Sequence, residues 1–306
     1  MDLRSTALGT AGKGPGPVLT AMERLEQTPV ADGAIEALRR AVRALPLGAA
    51  RDVLHGRPIG HPAHPPLVQV PLGAWFSSAV LDLLPGQRRA AHALIGVGVV
   101  TAVPAALAGW TDWAELPPEQ ARVGLVHALT NSVGLCLYAG SFAARARGRT
   151  WRGRLLSAAG LAAVSAGGAL GGHLAYRQAA GANHAEAVTH LVGEGWHRVG
   201  PVADFAVDRP VRARVDGVDV LVVRATGGAV HVLADRCSHM GGPLSEGEIT
   251  DGCVRCPWHG SVFRLSDGWN VKGPATAPQP SFETRVVDGH VEARLRPFHT
   301  PRSSSP

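Results

Sequence analysis

Cys237-Ser-His239 and, after a spacer of sixteen residues, Cys256-Pro-Trp-His259-Gly-Ser261 form two short loops, each offering one thiol and one imidazole. Zinc fingers and ribbons group their donors differently, two cysteines close together before two histidines. If the two loops here close on one centre, the donor set suits two products. One is a mixed zinc site with two cysteines and two histidines; the other is a 2Fe–2S cluster with the cysteines on one iron and the histidines on the other. Gly241, Gly242 and Pro243 behind the first pair, and Pro257 and Gly260 around the second, let the backbone wrap closely and turn N–H groups towards bridging sulfides. That favours iron.

The segment resembles the Rieske family in its Cys-x-His, its spacer length and its Cys-Pro-Trp-His-Gly-Ser, over roughly residues 196–296. The resemblance implies a 2Fe–2S cluster with Cys237, His239, Cys256 and His259 as its ligands. It also has departures. Rieske subunits of respiratory cytochrome bc complexes carry an extra, disulfide-bonded cysteine in each loop, where this chain has Gly242 and Trp258. They also set a serine and a tyrosine hydroxyl against the cluster sulfurs; Ser261 keeps the first, but Phe263 stands in place of the second. Hydrogen bonds to sulfur stabilise the reduced, more negative cluster, so losing one lowers the potential. The expectation is a ferredoxin-type centre near the low end of its class, about −150 mV.

The chain has 306 residues, enough for two domains. Four cysteines, two of them in the loops, make no disulfide scaffold. Cys136 lies in an apolar run and is expected to pack as a small hydrophobe; Cys253 is expected on a strand. The net charge of +6 comes mostly from arginine, and aromatics are too sparse for a base-stacking platform, so nucleic acid is not an expected partner. Arginine beside apolar runs rich in alanine and glycine fits membrane flanks.

Residues 1–17 read as a Gly/Pro-rich tail without an apolar export signal. From Asp32 the helical spacing of Ile35, Leu38, Val42 and Leu45 predicts an amphipathic helix, lying on a membrane surface or serving as a solvated connector. Four apolar runs follow, 67–84, 90–110, 123–142 and 155–176, each near the ~20 residues that cross a hydrocarbon core. They lack the polar face a soluble bundle needs. Trp75, Trp110, Trp113, Trp151 and Tyr176 mostly sit near run ends, as interface aromatics do. From His61-Pro-Ala-His to Gly171-Gly-His-Leu-Ala-Tyr-Arg177 the region resembles a family of four-span bacterial membrane proteins of uncharacterised function, which implies an architecture and no activity. Beyond it, short strands at 196–199, 211–215, 218–224, 229–233, 284–287 and 290–295 are joined at Asp216-Gly217, Gly227-Gly228 and Asp288-Gly289.

The expected fold is therefore multi-domain, an all-α four-helix transmembrane bundle followed by a small all-β antiparallel Rieske domain. The expected divisions are a tail and amphipathic helix (1–54), the four-span domain (55–180), a linker (181–195), the cluster domain (196–296) and a Pro/Ser-rich tail (297–306). With four spans, His61, His64, His127 and His173 fall at the membrane face that carries the cluster domain, and His92 at the other. Those four make a candidate second site for haem or quinone, with His127 and His173 the leading pair. The plainer use of such histidines is capping helix ends against interfacial water. Arginines flank both faces. Weighting those nearest the spans puts the cluster domain outside, but no twin-arginine signal precedes an apolar segment and a loaded cluster cannot be threaded unfolded. The cluster domain is expected on the cytoplasmic side.

The functional expectation is a membrane-anchored electron carrier with lipid and unidentified redox donor and acceptor proteins as partners, and electron exit at the exposed edges of His239 and His259. A redox-sensing module is the alternative. A component of a Rieske oxygenase system is a lesser one, since the oxygenase iron needs two histidines and a carboxylate and only His290 and His299 follow His259.

Overall fold

The structure, a computed structural model, describes residues 17–297. The expected tails at 1–17 and 297–306 lie outside the described residues except for Pro17 and Pro297. Pro17 opens a helix that the sequence reading did not anticipate, α1 (Pro17–Gln27), tied back to the bundle by Arg177 donating to Glu23 at 2.7 Å. Helix α2 (Asp32–Ala44) is the amphipathic segment. It is docked on protein. Ile35 is buried against Trp113, Ala114, Leu116 and Ala121, a burial that contributes about 1.5–3 kcal/mol. Arg39 and Arg43 both donate to the carbonyl of Ala114, at 3.0 and 2.7 Å. A short α3 (Ala50–Leu54) leads into the long helices.

These are α4 (His64–Leu83), α5 (Arg88–Trp113), α6 (Pro118–Ala146) and α7 (Thr150–Gly172), the last closing in a π-helical turn over His173–Arg177. Three of the four runs are long and apolar enough to cross a membrane: Arg88–Trp113, Pro118–Ala146 and Thr150–Arg177. α4 falls short of them because Pro65, Pro66, Gln69 and Pro71 dilute its apolar residues. Only 22% of each apolar window is buried inside the protein, so the outer faces are uncovered; Val100, Val103 and Leu129 are exposed there. Cys136 is on that outer side, exposed. The expectation that it packs inside is corrected: a helix apolar all round does not mark which side faces its neighbours.

α4 packs on α5 and α7, and α6 packs on the same two, so α4 and α6 stand diagonally across the bundle. Side chains at matched positions of these two helices meet at two levels and are buried at a third. The rings of Trp75 and Tyr138 stack with centroids 4.3 Å apart and planes 3° from parallel. Ser78 and Ser141 are fully buried, and Asp82 receives both terminal nitrogens of Arg145. Each pair is separated by the same 63 positions as Asp82 and Arg145. The partner helices answer in kind: a Cβ on Gly98 of α5 would come within 2.2 Å of the Trp75 ring, and one on Gly160 of α7 within 3.0 Å of Tyr138. The two hairpins, α4–α5 and α6–α7, are copies of one unit about an internal two-fold axis.

After α8 (Val188–Leu191) the chain becomes antiparallel β structure. β1 (His197–Pro201), β2 (Val211–Val215), β3 (Val218–Arg224), β4 (Val230–Ala234), β9 (Ser281–Val287) and β10 (His290–Leu295) form one sheet in the order β1-β10-β9-β4-β3-β2. β5 (Glu248–Thr250), β6 (Cys253–Arg255), β7 (Val262–Arg264) and β8 (Asn270–Lys272) form a second in sequence order. Asp216-Gly217 and Asp288-Gly289 turn with both residues in the left-handed region, as a two-residue hairpin requires. Asp251-Gly252, with φ of 50° and 71°, does the same between β5 and β6. That hairpin occupies the spacer between the two ligand loops and was missed, although it carries the same dipeptide signal.

Candidate functional site

Both loops use one local design. The Cys237 N–H donates to the carbonyl of Gly242 at 2.9 Å, and the Gly241 N–H to the carbonyl of Cys237 at 2.8 Å. In the second loop Cys256 N–H donates to Ser261 at 2.8 Å and Gly260 N–H to Cys256 at 3.1 Å. Gly241 and Gly260, each four residues after its cysteine, take φ of 77° and 71°, which a side chain would oppose. The sequence signal is a repeated Cys-x3-Gly. Each turn folds amides onto its own sulfur: His239 and Met240 N–H reach Cys237, and Trp258 and His259 N–H reach Cys256.

The loops converge. The two thiols are within hydrogen-bonding reach of one another, and the rings of His239 and His259 stand with centroids 5.0 Å apart and planes at 88°. Sharing a proton with Cys256, and buried besides, Cys237 is pushed well up; the same bond draws the Cys256 thiol down to about 7. Burial, with His259, His55 and His184 nearby, holds His239 down at about 3, and burial lowers His259 as well. Both imidazoles are thus neutral and able to act as donors.

Two features fit a bound cluster. The buried Nδ1 of His239 has no hydrogen-bond partner, and a buried ring nitrogen left unpaired is costly unless something else takes its lone pair. Gly242 lies against the Cys256 sulfur: a Cβ there would stand 3.1 Å from Sγ and 2.8 Å from the Trp258 ring. The indole therefore covers the place where the cytochrome bc subunits have their bridge, and all four cysteines are free. Among the described residues no three His, Cys, Asp or Glu side chains gather round a single ion position. A two-iron cluster takes only two protein donors per iron, so four residues arranged as two pairs suit it better than they suit zinc.

Several supporting residues carried no sequence signal. Gln279, buried, accepts from Ser238 N–H at 2.9 Å and donates to the carbonyls of Ala234 and Arg236 at 2.8 and 2.6 Å, pinning the first loop. Ser261 is fully buried, and its Oγ accepts from Ala275 N–H at 3.1 Å, leaving its own proton to donate elsewhere. Phe263 is fully buried among Cys237, Cys256 and Leu244 and brings no hydroxyl.

The histidine edge is half-buried, which corrects the expectation of exposed imidazoles. It is turned towards the helical region: His239 lies within electrostatic reach of His55, and His259 of Glu115, Arg43 and Arg39. Gly273 N–H donates across to Asp52 of α3 at 3.2 Å. His55, which the sequence reading passed over, is buried with Nδ1 2.7 Å from Asp112. The other histidines sort differently from expectation. His127 faces His64, with ring centroids 6.1 Å apart. His173 is taken by Glu26, its Nε2 at 2.5 Å from the carboxylate. His61 turns its Nδ1 to the carbonyl of Pro62.

Residues 195–283 match the family described as the Rieske [2Fe-2S] domain. The anthranilate 1,2-dioxygenase ferredoxin subunit of Burkholderia cepacia is 37% identical over 100 residues, which is 33% of this chain and 92% of the ferredoxin. The chain belongs to the Rieske [2Fe-2S] family. Its cofactor is accordingly a 2Fe–2S cluster. This Rieske chain is also 30% identical to the ferredoxin CarAc of Metapseudomonas resinovorans over 31% of its own length and 90% of the other's. It is 43% identical to the oxygenase component of 3-ketosteroid-9-alpha-monooxygenase from Rhodococcus rhodochrous, but spans only 17% of that protein. Among solved structures, the ferredoxin of carbazole 1,9a-dioxygenase from Nocardioides aromaticivorans IC177 is 24% identical over 34% of this chain and 100% of the ferredoxin, at a TM-score of 0.32. Residues 60–184 match a second family, described as Predicted membrane protein (DUF2231). The Rieske domain is thus fused to a membrane-protein domain.

Proposed function

We propose that this protein is a membrane-anchored one-electron carrier in which Cys237 and Cys256 hold one iron and His239 and His259 the other. The observation that carries this is the convergence of two thiols and two neutral imidazoles from two loops of one design. When bound, the cluster supplies reversible one-electron oxidation and reduction. The chain's own part is to tune and to orient. Amide N–H groups aimed at both cysteine sulfurs stabilise the thiolate form. The Ser261 hydroxyl is free to donate to sulfur, whereas Phe263 donates nothing, which supports a potential near the low end of the class, about −150 mV.

Anchoring is by the four-helix domain at 55–180, with α4 as the fourth span and lipid covering its outer faces. A linker at 181–195 joins it to the cluster domain at 196–296. The cluster domain lies on the cytoplasmic side. The histidine edge, turned to α2 and α3, supports electron passage between the cluster and the helical domain. The other redox partner is a reductase- or oxygenase-type protein of the kind its ferredoxin relatives serve.

The test uses the full chain, solubilised from washed membranes. Expected are about two irons and two acid-labile sulfides per chain, a Rieske-type paramagnetic resonance signal on reduction, and its loss in Cys256→Ser and His259→Ala. Zinc in place of iron, a midpoint well above zero, or recovery in the soluble fraction overturns the corresponding part. Labelling of Cys253 in intact against opened cells decides the side.

A further inference from the structure

We propose that His64 and His127 are the two axial ligands of a haem held on the internal two-fold axis of the helical domain. This goes beyond the electron-carrier reading and can fail without it. The two histidines are equivalent positions of the duplicated hairpin, separated by the spacing that relates Trp75 to Tyr138 and Asp82 to Arg145. They project from the diagonal helices α4 and α6, at the end of the bundle nearer the cluster domain.

Their surroundings repeat as well. His64 Nδ1 bonds the carbonyl of Ala105 on α5 at 2.8 Å, and His127 Nδ1 bonds the carbonyl of Gly167 on α7 at 2.8 Å. One turn further along each of those helices stands a glycine. A Cβ on Gly109 would meet His64 at 2.8 Å, and one on Gly171 would meet His127 at 3.0 Å. A carbonyl can only accept, so each ring holds a proton on Nδ1, and in its neutral form leaves Nε2 as the nitrogen for a metal, the arrangement of metal-bound histidines. Asn131 also approaches His127: its amide donates to the His127 carbonyl at 2.8 Å, and the same nitrogen stands at the long limit of hydrogen bonding, 3.4 and 3.5 Å, from the two ring nitrogens, contacts that a ligated metal would replace at Nε2.

Distance and donor count both point to haem. An atom bound midway by two imidazoles, at metal–nitrogen distances of about 2.0–2.1 Å, needs ring centroids roughly 6 Å apart. The centroids of His64 and His127 are 6.1 Å apart, with planes crossed at 79°. A bare divalent ion wants about four protein donors, and among the described residues no third His, Cys, Asp or Glu joins a pair. Haem iron brings four nitrogens of its own and asks the protein for the remaining axial ones. The site also continues a row from the cluster: His239 lies within electrostatic reach of His55, His55 bonds Asp112, and Asp112 lies within reach of His64.

The test is optical and magnetic spectroscopy of the full chain, expressed in haem-replete cells and purified in detergent. Expected is about one haem per chain, low-spin and six-coordinate, with both ligands nitrogen. His64→Ala and His127→Ala should each convert it to a high-spin form, with added imidazole restoring the low-spin spectrum, and the double variant should lose the haem. His173→Gln, at a residue bonded to Glu26, should leave the spectrum unchanged. The cluster signal, present in every variant, reports that the chain is folded. Cluster-loaded protein without haem overturns the proposal and leaves the carrier reading standing. So does a haem indifferent to both single variants, or a bare zinc or copper ion removed by them.

Discussion

Truncating Asp82 should cost the bundle far more than a surface charge would. Its carboxylate receives Arg145 at 2.8 and 2.5 Å, with Arg154 at 3.5 Å, and the side chains of Asp82 and Arg145 are only 10% and 4% exposed. In Asp82→Ala the Arg145 guanidinium stays buried with only the Ser141 and Ser157 hydroxyls, at 3.2 and 3.4 Å, and Arg154 beside it. Breaking a buried pair this way costs about 3–5 kcal/mol. At roughly 2–4 °C per kcal/mol for a domain of this size, the melting point should fall by roughly 10 °C. Removing both charges, as Asp82→Leu with Arg145→Met, leaves neither orphaned and should recover most of the loss. The reversed pair, Asp82→Arg with Arg145→Asp, should recover less. Position 145 has Gly153 making room for its side chain, a Cβ there falling 2.5 Å from Arg145, whereas the equivalent neighbour of position 82 is the buried Ala91. The assay is detergent-solubilised thermal unfolding of the two singles and both doubles, read as a double-mutant cycle. Additive losses, with the apolar double as unstable as the sum of the singles, would refute the reasoning.

Phe263→Tyr should raise the cluster midpoint by tens of millivolts, and Ser261→Ala should lower it similarly, on the scale of 59 mV per tenfold for one electron. Ser261→Ala also strips Ala275 N–H of its acceptor, so that variant should lose about 1–3 kcal/mol of stability; redox titration beside thermal melts separates the two effects. Gly242→Val should reduce cluster content, measured as iron and sulfide per chain, because its side chain would run into Trp258 and the Cys256 sulfur. His231 has its pKa lowered by burial first and then by Arg296. The unfolded chain therefore takes up that proton first as pH falls below about 6.5. Its stability contribution is complete above that value and lost on acidification towards the folded pKa, so the melting point of His231→Gln should fall less steeply from pH 7 to pH 5 than that of the parent.

Much of the architecture was legible because it is written locally. The loops declare themselves by residues within five positions of each cysteine, including the glycines that their left-handed turns need. The hairpin turns follow from Asp-Gly pairs, and even the missed turn at Asp251-Gly252 obeys the same rule. The apolar runs were visible from composition alone. Composition did not reveal which side of a helix faces its neighbours, and so Cys136 was expected inside. α1 was missed because the glycines and prolines before it read as an open tail, while its tie, Glu23 to Arg177, spans 154 residues.

By itself the sequence determined the loop chemistry, the antiparallel β domain and the presence of long apolar helices, since each depends on spacings of a few residues. Only the tertiary structure decided which histidines stand together. His127 meets His64 rather than His173, because the diagonal of a four-helix bundle joins residues 63 apart and Glu26 of α1 has already bonded His173. It also turned His239 and His259 towards α2 and α3 instead of solvent. That orientation depends on contacts such as Asp52 with Gly273, 221 residues apart, and no local periodicity encodes a contact of that range.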